Sequence, residues 1–442
     1  MRRQRGNALR RLASAALACA VLPGLGFMPA SDDVAPYVAP MPGVGIVVAT
    51  IDGERSEVRS FGTDLGGESS FEIGSITKTF TATLFADMVV HHEVSPDDPI
   101  ERYLPAGARA PTFGEQHITL LDLATQTSGL PRLPTNLAPA NANDPYADYD
   151  ETKLLAFLGS YALPRAPGAT FEYSNLGVGL LGYLLARRLG VDYATAVRTR
   201  VLEPLGMTHT VIAEAGRPPG GMAGHDADGE PVSNWTFGAL AGAGAVVSTP
   251  DDMLRFARAN LDETGGPLAA AMALAHRPLR DAGNGTRVGY AWLTQPDGVV
   301  WHNGGTAGFR SFIGLAPAQQ RAVVVLADGF VDAVDGIGMH VLDPNLPLPA
   351  PPQPDAPVTA EVLARYVGRY RFSDGSTGTV TQDARGLIVA FDIPKFRARL
   401  HARADDRFAI RTPAIDVTFS ADGETMSVAQ PGSPADTGTR LK

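Results

Sequence analysis

A Ser-x-x-Lys sequence at the start of a helical pattern constrains this chain more than any other feature. Ser75 and Lys78 lie just ahead of an apolar stripe that includes Phe80, Leu84 and Phe85. Because residues three apart share one face of an α-helix, we expect the lysine amine beside the serine hydroxyl. A hydroxyl is a weak nucleophile unless a base contacts it, and an uncharged amine can be that base. The spacing therefore makes Ser75 a candidate nucleophile at a helix N-terminus.

The choice of lysine at this position adds weight, because the chain contains 33 Arg and only four Lys. Arginine keeps its charge, whereas a desolvated lysine can lose its proton. The tetrapeptide also fits an exposed lysine on the first turn of an amphipathic helix from Ile76 to His91. Spacing alone leaves both interpretations open.

Composition predicts a large, exported protein. At 442 residues, with 44% hydrophobic and 19% charged side chains, the chain can form more than one domain. Residues 1–30 have the layout of an export signal, with five Arg, no acid and an apolar run from Leu12 to Phe27. This run is interrupted and is shorter than the roughly 20 residues that a membrane span requires. Loss of this segment would take the formal net charge from −10 to −15, which disfavours nucleic acid and anionic membranes as partners.

The sequence leaves open whether the exported chain is cleaved to a free protein or anchored by a lipid. Cleavage after Ala30 would give a periplasmic or secreted protein without cysteine, and therefore without a disulfide, a thiol nucleophile or a Cys metal site. Cys19 follows an imperfect lipoprotein box, so a lipid anchor is the alternative. Arg10 and Arg11 are compatible with twin-arginine export.

Sequence periodicity divides the rest of the chain into three parts. Residues 31–343 combine a β-hairpin from Val44 to Phe61, several helical patterns and four strand patterns between Gly289 and Ala327. Residues 344–357 contain seven prolines and form a semi-rigid linker. Residues 358–442 hold six or seven short strand patterns, which favours a small antiparallel barrel.

Several other chemistries are disfavoured. The nine His are scattered, with no His-Glu-x-x-His, so we expect no metal. Gly177 to Gly182 matches a dinucleotide-binding pattern, but it lies inside a helical pattern from Leu176 to Leu189 and indicates close helix packing instead, so we expect no cofactor. No serine lies in Gly-x-Ser-x-Gly, which disfavours an α/β-hydrolase.

Two further motifs complete a constellation: Tyr173-Ser174-Asn175 and His302-Asn303-Gly304-Gly305. With the Ser-x-x-Lys in this order, the chain resembles the serine β-lactamase and penicillin-binding-protein superfamily over roughly residues 40 to 340. Within it, the class C β-lactamase-like branch of D-peptidases and esterases is most similar. The resemblance implies an α/β (α+β) fold: an antiparallel sheet flanked by helices, a helical lobe and the site between them. Residues 358–442 resemble the lipocalin-like barrel appended to many such hydrolases.

The resemblance also implies the catalytic roles. Ser75 would attack a carbonyl and form an acyl-enzyme, with Lys78 as proton acceptor. Tyr173 would act with Lys78 as general base and acid. We expect the lysine charge to lower the pKa of Tyr173 toward neutrality.

The remaining site residues would bind substrate. Asn175 would orient substrate and Lys78, and the backbone N–H groups of Ser75 and Gly305 would form an oxyanion hole. The expected substrate-binding set is Asn175, His302, Asn303, Gly304 and Gly305.

The residue at position 302 bears on the substrate. True class C β-lactamases usually have Lys where this chain has His302, whereas carboxypeptidase-like and D-aminopeptidase-like relatives often have His. A histidine with a pKa of ~6.5 would bind a carboxylate only partly at neutral pH. We therefore expect a serine hydrolase of D-amino-acid peptides, amides or small esters, with a small-molecule or peptide substrate as its partner. A true β-lactamase and a ligand-binding protein without turnover are the alternatives.

Overall fold

The computed structural model describes residues 32–214, 223–262, 265–393, 395–430 and 432–442. The predicted export signal, with Cys19, lies outside the described residues and stays a prediction. Within the described ranges, no helix is both long and apolar enough to span a bilayer.

An eight-stranded antiparallel sheet forms the centre of the N-terminal part. The predicted hairpin and the predicted strand from Arg321 to Ala327 are confirmed. The strand predicted from Gly289 is shorter, because the Tyr290 N–H donates to the Ala275 carbonyl and takes the chain out of the sheet. In spatial order, the strands are Arg280–Gly283, Thr286–Val288, Leu293–Thr294, Val300–Gly305, Arg310–Ala316, Arg321–Ala327, Ile46–Asp52 and Arg55–Phe61.

Both faces of this sheet are covered, because successive side chains of a strand point to opposite faces. Val47 and Ile51 pack in the large core shared with the helical lobe. Ile46 and Val48 pack in a second core that includes the Val334–Leu342 helix. Two buried faces explain why the strand reads as a continuous apolar run.

Helices form the lobe and the outer layer. The α-helices are Ala35–Val38, Thr77–Val90, Leu120–Ala124, Glu151–Ser160, Asn175–Leu189, Tyr193–Val197, Glu203–Leu205, Pro250–Leu261, Ala269–His276, Val334–Leu342 and Ala360–Tyr366. Shorter helical turns are Asp32–Val34, Gly74–Ile76, Ile100–Tyr103, Arg198–Leu202, Ala241–Ala243 and Pro317–Gln319. Short strands are Phe71–Glu72, Thr112–Phe113, Gln116–His117, Val211–Ile212, Gly224–His225, Pro231–Val232 and Val246–Ser248.

The helix that follows Ser75 differs from the predicted amphipathic pattern. It runs over Thr77–Val90, and almost all of it is buried, including its polar side chains. Thr79 and Thr83 satisfy their hydroxyls on carbonyls of the same helical segment, and Thr81 donates to the Gly242 carbonyl at 2.8 Å. A helix buried on all sides gives a low-dielectric setting to any charged group on it.

The glycines of the Asn175–Leu189 helix serve close packing, as predicted. A Cβ on Gly179 would lie 2.9 Å from Leu240, and one on Gly182 would lie 3.0 Å from the Gly242 Cα. The Gly/Ala-rich segment from Gly238 to Ser248 therefore lies directly against this helix. Its carbonyls reach the helix that carries Lys78.

The C-terminal part is a closed antiparallel barrel, as predicted. It has eight strands, whereas the sequence predicts six or seven. Aromatic side chains including Tyr366, Tyr370, Phe408 and Phe419 fill its core. The strands are Gly368–Arg371, Thr377–Asp383, Gly386–Asp392, Lys395–Ala402, Arg407–Ile410, Ile415–Phe419, Thr425–Ala429 and Asp436–Arg440.

Charged side chains join the barrel to the N-terminal part. We call Asp228, Glu230, Asp355, Arg399 and His401 the barrel charge cluster. The His401 ring lies 2.9 Å from one Asp228 carboxylate oxygen and 3.0 Å from Asp355, through its two nitrogens. Arg399 donates its backbone N–H to Asp228 at 3.0 Å and its guanidinium to Glu230 at 3.3 Å. Asp228 and Glu230 belong to the turn between the short strands Gly224–His225 and Pro231–Val232.

Candidate active site

Ser75 and Lys78 are in direct contact. The Lys78 Nζ lies 2.8 Å from the Ser75 Oγ and donates to the Ala243 carbonyl at 2.7 Å. Ser75 lies in the Gly74–Ile76 turn that leads into the Thr77–Val90 helix. The alternative of an exposed lysine is therefore wrong, because the packed segment around Ala243 covers the amine.

The burial of Lys78 controls its protonation. Its side chain is fully buried, and burial lowers its pKa well below the ordinary lysine value, with the charge of Arg132 as a further cause. Both hydrogen-bond partners of Nζ are neutral oxygens. This setting favours the uncharged amine, which has a lone pair to accept a proton.

Tyr173 lies beside this pair, but the expected direction of its pKa is wrong. The Lys78 Nζ lies 5.0 Å from the centre of the Tyr173 ring. Burial raises the pKa of Tyr173 to about 12, although Ser75 and Arg132 act in the opposite direction. The prediction assumed a charged lysine, and a lysine whose burial favours the neutral amine does not supply that charge. Tyr173 therefore keeps its proton near neutral pH.

Asn175 lies at the first position of its helix and lines the cleft. Its amide Nδ2 donates to the Tyr146 hydroxyl at 3.5 Å, and its buried Oδ1 has no partner among the described residues. The expected hydrogen bond to Lys78 is therefore not formed, because Ser75 and Ala243 already hold the amine. The free Oδ1 is a ready acceptor for a substrate N–H group.

His302 lies behind the cleft rather than in its wall. The side chain is 1% exposed, its Nδ1 lies 2.6 Å from the Asn303 carbonyl, and no described residue contacts its Nε2 by a hydrogen bond. Burial and the neighbouring Lys78 lower its pKa to about 3. The expectation of a partly charged His302 at neutral pH is therefore wrong.

Asn303, Gly304 and Gly305 do line the cleft. Asn303 donates its side-chain amide to Asp335. A Cβ on Gly304 would lie 2.0 Å from the Ile73 carbonyl oxygen, so only glycine lets this strand approach the Ser75 turn so closely.

Gly74 is the matching glycine on the other side of that approach. Its φ of +49° lies in the left-handed region, and a Cβ there would lie 2.5 Å from the Gly305 nitrogen. The two missing side chains bring the backbone at Ser75 next to the backbone at Gly305.

The cleft has a volume of about 560 Å³ and includes residues that the motifs do not indicate. Tyr146 and Trp235 form an aromatic wall, with ring centres 5.5 Å apart. Two guanidinium groups, those of Arg132 and Arg310, also lie at the cleft. Arg132 comes directly after the Ser128-Gly129-Leu130-Pro131 segment, and Tyr146 lies in the stretch from Pro134 to Asp150, which is rich in Pro, Asn, Ala and Asp.

Within the described ranges, no group of three or more His, Cys, Asp or Glu is arranged to hold a metal ion.

Known proteins share this architecture. The sequence profile of the Beta-lactamase family matches residues 33–343. The D-alanyl-D-alanine-carboxypeptidase/endopeptidase AmpH of Escherichia coli (strain K12) is 28% identical over 339 residues, which cover 70% of this chain and 87% of AmpH. A beta-lactamase of Pseudomonas fluorescens is 29% identical over 328 residues, which cover 64% of this chain and 88% of that protein.

A solved structure agrees with these matches. The D-alanine carboxypeptidase AmpC from Burkholderia cenocepacia superposes with a TM-score of 0.59 at 25% identity, covering 71% of this chain and 97% of that chain. The resemblance inferred from three short motifs is confirmed, as is the fold class. Because the family profile spans most of its length, the chain belongs to the Beta-lactamase family and is a serine hydrolase.

Proposed function

We propose that the protein is a peptidase or amidase that cleaves D-amino-acid peptides, related amides or small esters through an acyl-enzyme on Ser75. The observation that carries this proposal is the buried Lys78 amine, 2.8 Å from the Ser75 hydroxyl, with only neutral oxygens as partners. The export-signal pattern of residues 1–30 supports action outside the cytoplasm.

Acylation begins with transfer of the Ser75 hydroxyl proton to the Lys78 lone pair. The Oγ forms a bond to the substrate carbonyl carbon, and the carbonyl π electrons move to its oxygen. The backbone N–H groups of Ser75 and Gly305 stabilise this oxyanion. Collapse of the intermediate breaks the bond to the leaving group, which takes a proton and departs.

Tyr173 supplies the path for that proton. Its pKa of about 12 keeps the phenol protonated, so it donates its own proton to the leaving nitrogen and regains one from the Lys78 ammonium. Water then attacks the acyl-enzyme, with the restored Lys78 amine as base, and releases the second product. Lys78 is thus the base of both steps, and Tyr173 is a relay.

The substrate class follows from what lines the cleft. The free Oδ1 of Asn175 suits an amide N–H, which a peptide offers. The uncharged, buried His302 removes the cation that true class C β-lactamases usually present at this position. AmpH and the Burkholderia protein are both named as D-alanine carboxypeptidases, which supports the peptide substrate.

A true β-lactamase is the second candidate, because a beta-lactamase is among the relatives of similar identity. Both candidates acylate Ser75 with a β-lactam, and they differ in how fast the adduct is hydrolysed. A protein that binds ligands without turnover would keep the adduct and cleave no peptide.

The test follows intact mass and product release together. We expect the wild-type chain to gain the mass of one penicillin, to lose it slowly, and to release D-alanine from an N-acyl-D-alanyl-D-alanine peptide. Ser75→Ala should lower peptide cleavage on the order of 10⁶-fold, the scale for loss of a hydrolase nucleophile. Full activity of Ser75→Ala on every wild-type substrate would overturn the acyl-enzyme. Rapid turnover of nitrocefin with no adduct build-up would favour the β-lactamase.

A further inference from the structure

The acidic side chains around the cleft are already engaged. Glu72 accepts the Trp235 backbone N–H at 2.8 Å, and Asp335 accepts from Asn303. Asp144 accepts both the backbone N–H and the hydroxyl of Thr236. None of these carboxylates pairs with a cleft arginine at short range.

The two cleft arginines differ in how they are held. The Arg310 guanidinium donates to the carbonyls of Thr306 and Phe309, both at 2.8 Å, and lies 3.7 Å from Asp332 and against the Phe330 ring. The Arg310 guanidinium is thus already engaged by two carbonyls, a ring and a carboxylate.

Arg132 has a fixed backbone and a free head group. Its carbonyl accepts the N–H groups of Asn175 and Leu176, at 3.0 and 3.3 Å, so the residue is anchored on the start of the helix that presents Asn175. Its side chain is exposed, and its guanidinium carbon lies 4.9 Å from the centre of the Tyr173 ring. No described carboxylate forms an ion pair with it.

The position of Arg132 makes its charge effective inside the cleft. The Tyr173 ring lies close to both Arg132 and Lys78, and the arginine is also a secondary cause of the low pKa of Lys78, after burial. A guanidinium presents several N–H donors in a planar fork that matches the two oxygens of a carboxylate. The Arg132 guanidinium has no carboxylate partner among the described residues and lies close to Tyr173, which neighbours the nucleophile. It is therefore suited to bind a negatively charged group of the substrate.

We propose that Arg132 is the carboxylate-recognition residue of this cleft and makes the enzyme selective for substrates that carry a free carboxylate near the scissile bond. This inference rests on the proposed function. It assigns to Arg132 the carboxylate-binding role that was expected of His302, whose ring is buried and uncharged. The carboxylate belongs to the leaving group, as in a carboxypeptidase substrate, or to the acyl side.

Two matched substrate pairs distinguish these sources. N-acetyl-D-alanyl thioglycolate and its methyl ester differ only in a leaving-group carboxylate. N-succinyl-D-alanine p-nitroanilide and N-acetyl-D-alanine p-nitroanilide differ in an acyl-side carboxylate. We expect the wild-type kcat/KM to favour the acid of one pair by about 10- to 100-fold, the range of a charge-assisted hydrogen bond.

Variants assign that preference to its residue. Arg132→Gln should lose most of the preference, measured within each pair as the ratio of kcat/KM for the acid to kcat/KM for the neutral substrate, while Arg132→Lys should keep part of it. Arg198→Gln, at an exposed site on another helix, is the matched control and should keep the full preference. Circular dichroism of each variant shows whether it is folded.

The outcomes separate the two proposals. Turnover of these substrates without preference for either acid, or a preference that survives in Arg132→Gln, overturns the role of Arg132 and leaves the hydrolase assignment standing. Failure of the wild-type enzyme to cleave any of the four overturns the proposed function, and this inference with it.

Discussion

Two buried histidines show how differently the cleft and the barrel charge cluster treat the same side chain. His302 and His401 are 1% and 3% exposed. Burial lowers the pKa of His302 to about 3. Burial also acts against the charged form of His401, but hydrogen bonds to Asp228 and Asp355 outweigh it and raise its pKa. The charge of a buried histidine is therefore decided by its hydrogen-bond partners rather than by its degree of burial.

The cleft applies the same principle to its lysine. Lys78 is as buried as either histidine and contacts neutral oxygens, so burial is not offset. The cleft thus favours the uncharged forms of its lysine and its histidine, whereas the barrel charge cluster is an ion-pair network that joins two parts of the chain.

The largest effect is expected for Lys78→Arg. Arginine keeps its charge, so it cannot accept the Ser75 proton, and acylation by a β-lactam should slow by about 10³-fold or more. Lys78→Met, which lacks any base, should lose a similar factor. If Lys78→Arg acylates within tenfold of the wild-type rate while it is folded, deprotonation of this residue is not required.

The next effect is expected for Asp228→Asn in the barrel charge cluster. This change keeps the shape of the side chain but removes one of the two carboxylates that favour the charged form of His401. The remaining carboxylate, that of Asp355, is half-exposed. We expect a loss of about 2 kcal/mol in the free energy of unfolding, below the usual cost of breaking a fully buried pair.

A matched exposed pair serves as the control. Arg198 and Glu203 are both 56% exposed, and Glu203→Gln should change the free energy of unfolding by less than about 0.5 kcal/mol. Denaturant unfolding at pH 6 measures both variants. Equal losses in the two would show that the barrel charge cluster behaves as an ordinary surface contact.

The smallest effect, taken per pH unit, is a pair of opposite pH slopes. The folded pKa of His401 is raised, so its contribution to stability is complete below about pH 6.5 and is lost as the pH rises through the folded value. The folded pKa of His302 is depressed to about 3, so the unfolded chain binds more protons between pH 6.5 and 3, and stability falls as the pH falls. Each slope is at most about 1.4 kcal/mol per pH unit.

Single substitutions isolate these slopes. His401→Gln should flatten the decline above pH 6.5, and His302→Gln should reduce the decline below it. The measurement is the free energy of unfolding against pH, as the difference between wild type and variant, which cancels the other titrating groups. Parallel curves for His302→Gln and wild type would contradict a depressed pKa at this position.

Local sequence patterns were sufficient to predict the candidate nucleophile and much of the fold. The contact between Ser75 and Lys78 depends on a single helical turn, and the hairpin from Ile46 to Phe61 depends on neighbours in sequence. Each of these features is set by geometry within a few residues.

Protonation states could not be predicted from the sequence, because they depend on which residues cover a side chain in the folded protein. The carbonyl that holds Lys78 comes from Ala243, 165 positions away. The wrong direction for the pKa of Tyr173 and the wrong charge for His302 share this cause. Arg132 was missed for a related reason, since its role depends on the absence of a partner in space. The Glu151–Ser160, Ala269–His276 and Val334–Leu342 helices were also missed.

The close approach between Gly74 and Gly304 has a consequence for how such an enzyme can evolve. Any side chain at either position would collide with backbone at the opposite wall, so a substitution there would separate the backbone N–H groups that we propose stabilise the oxyanion. The rim is different, because the exposed side chain of Arg132 can be exchanged without moving the main chain. New specificities can therefore arise at the edge of the groove, by single steps, while the reacting centre is passed on unaltered.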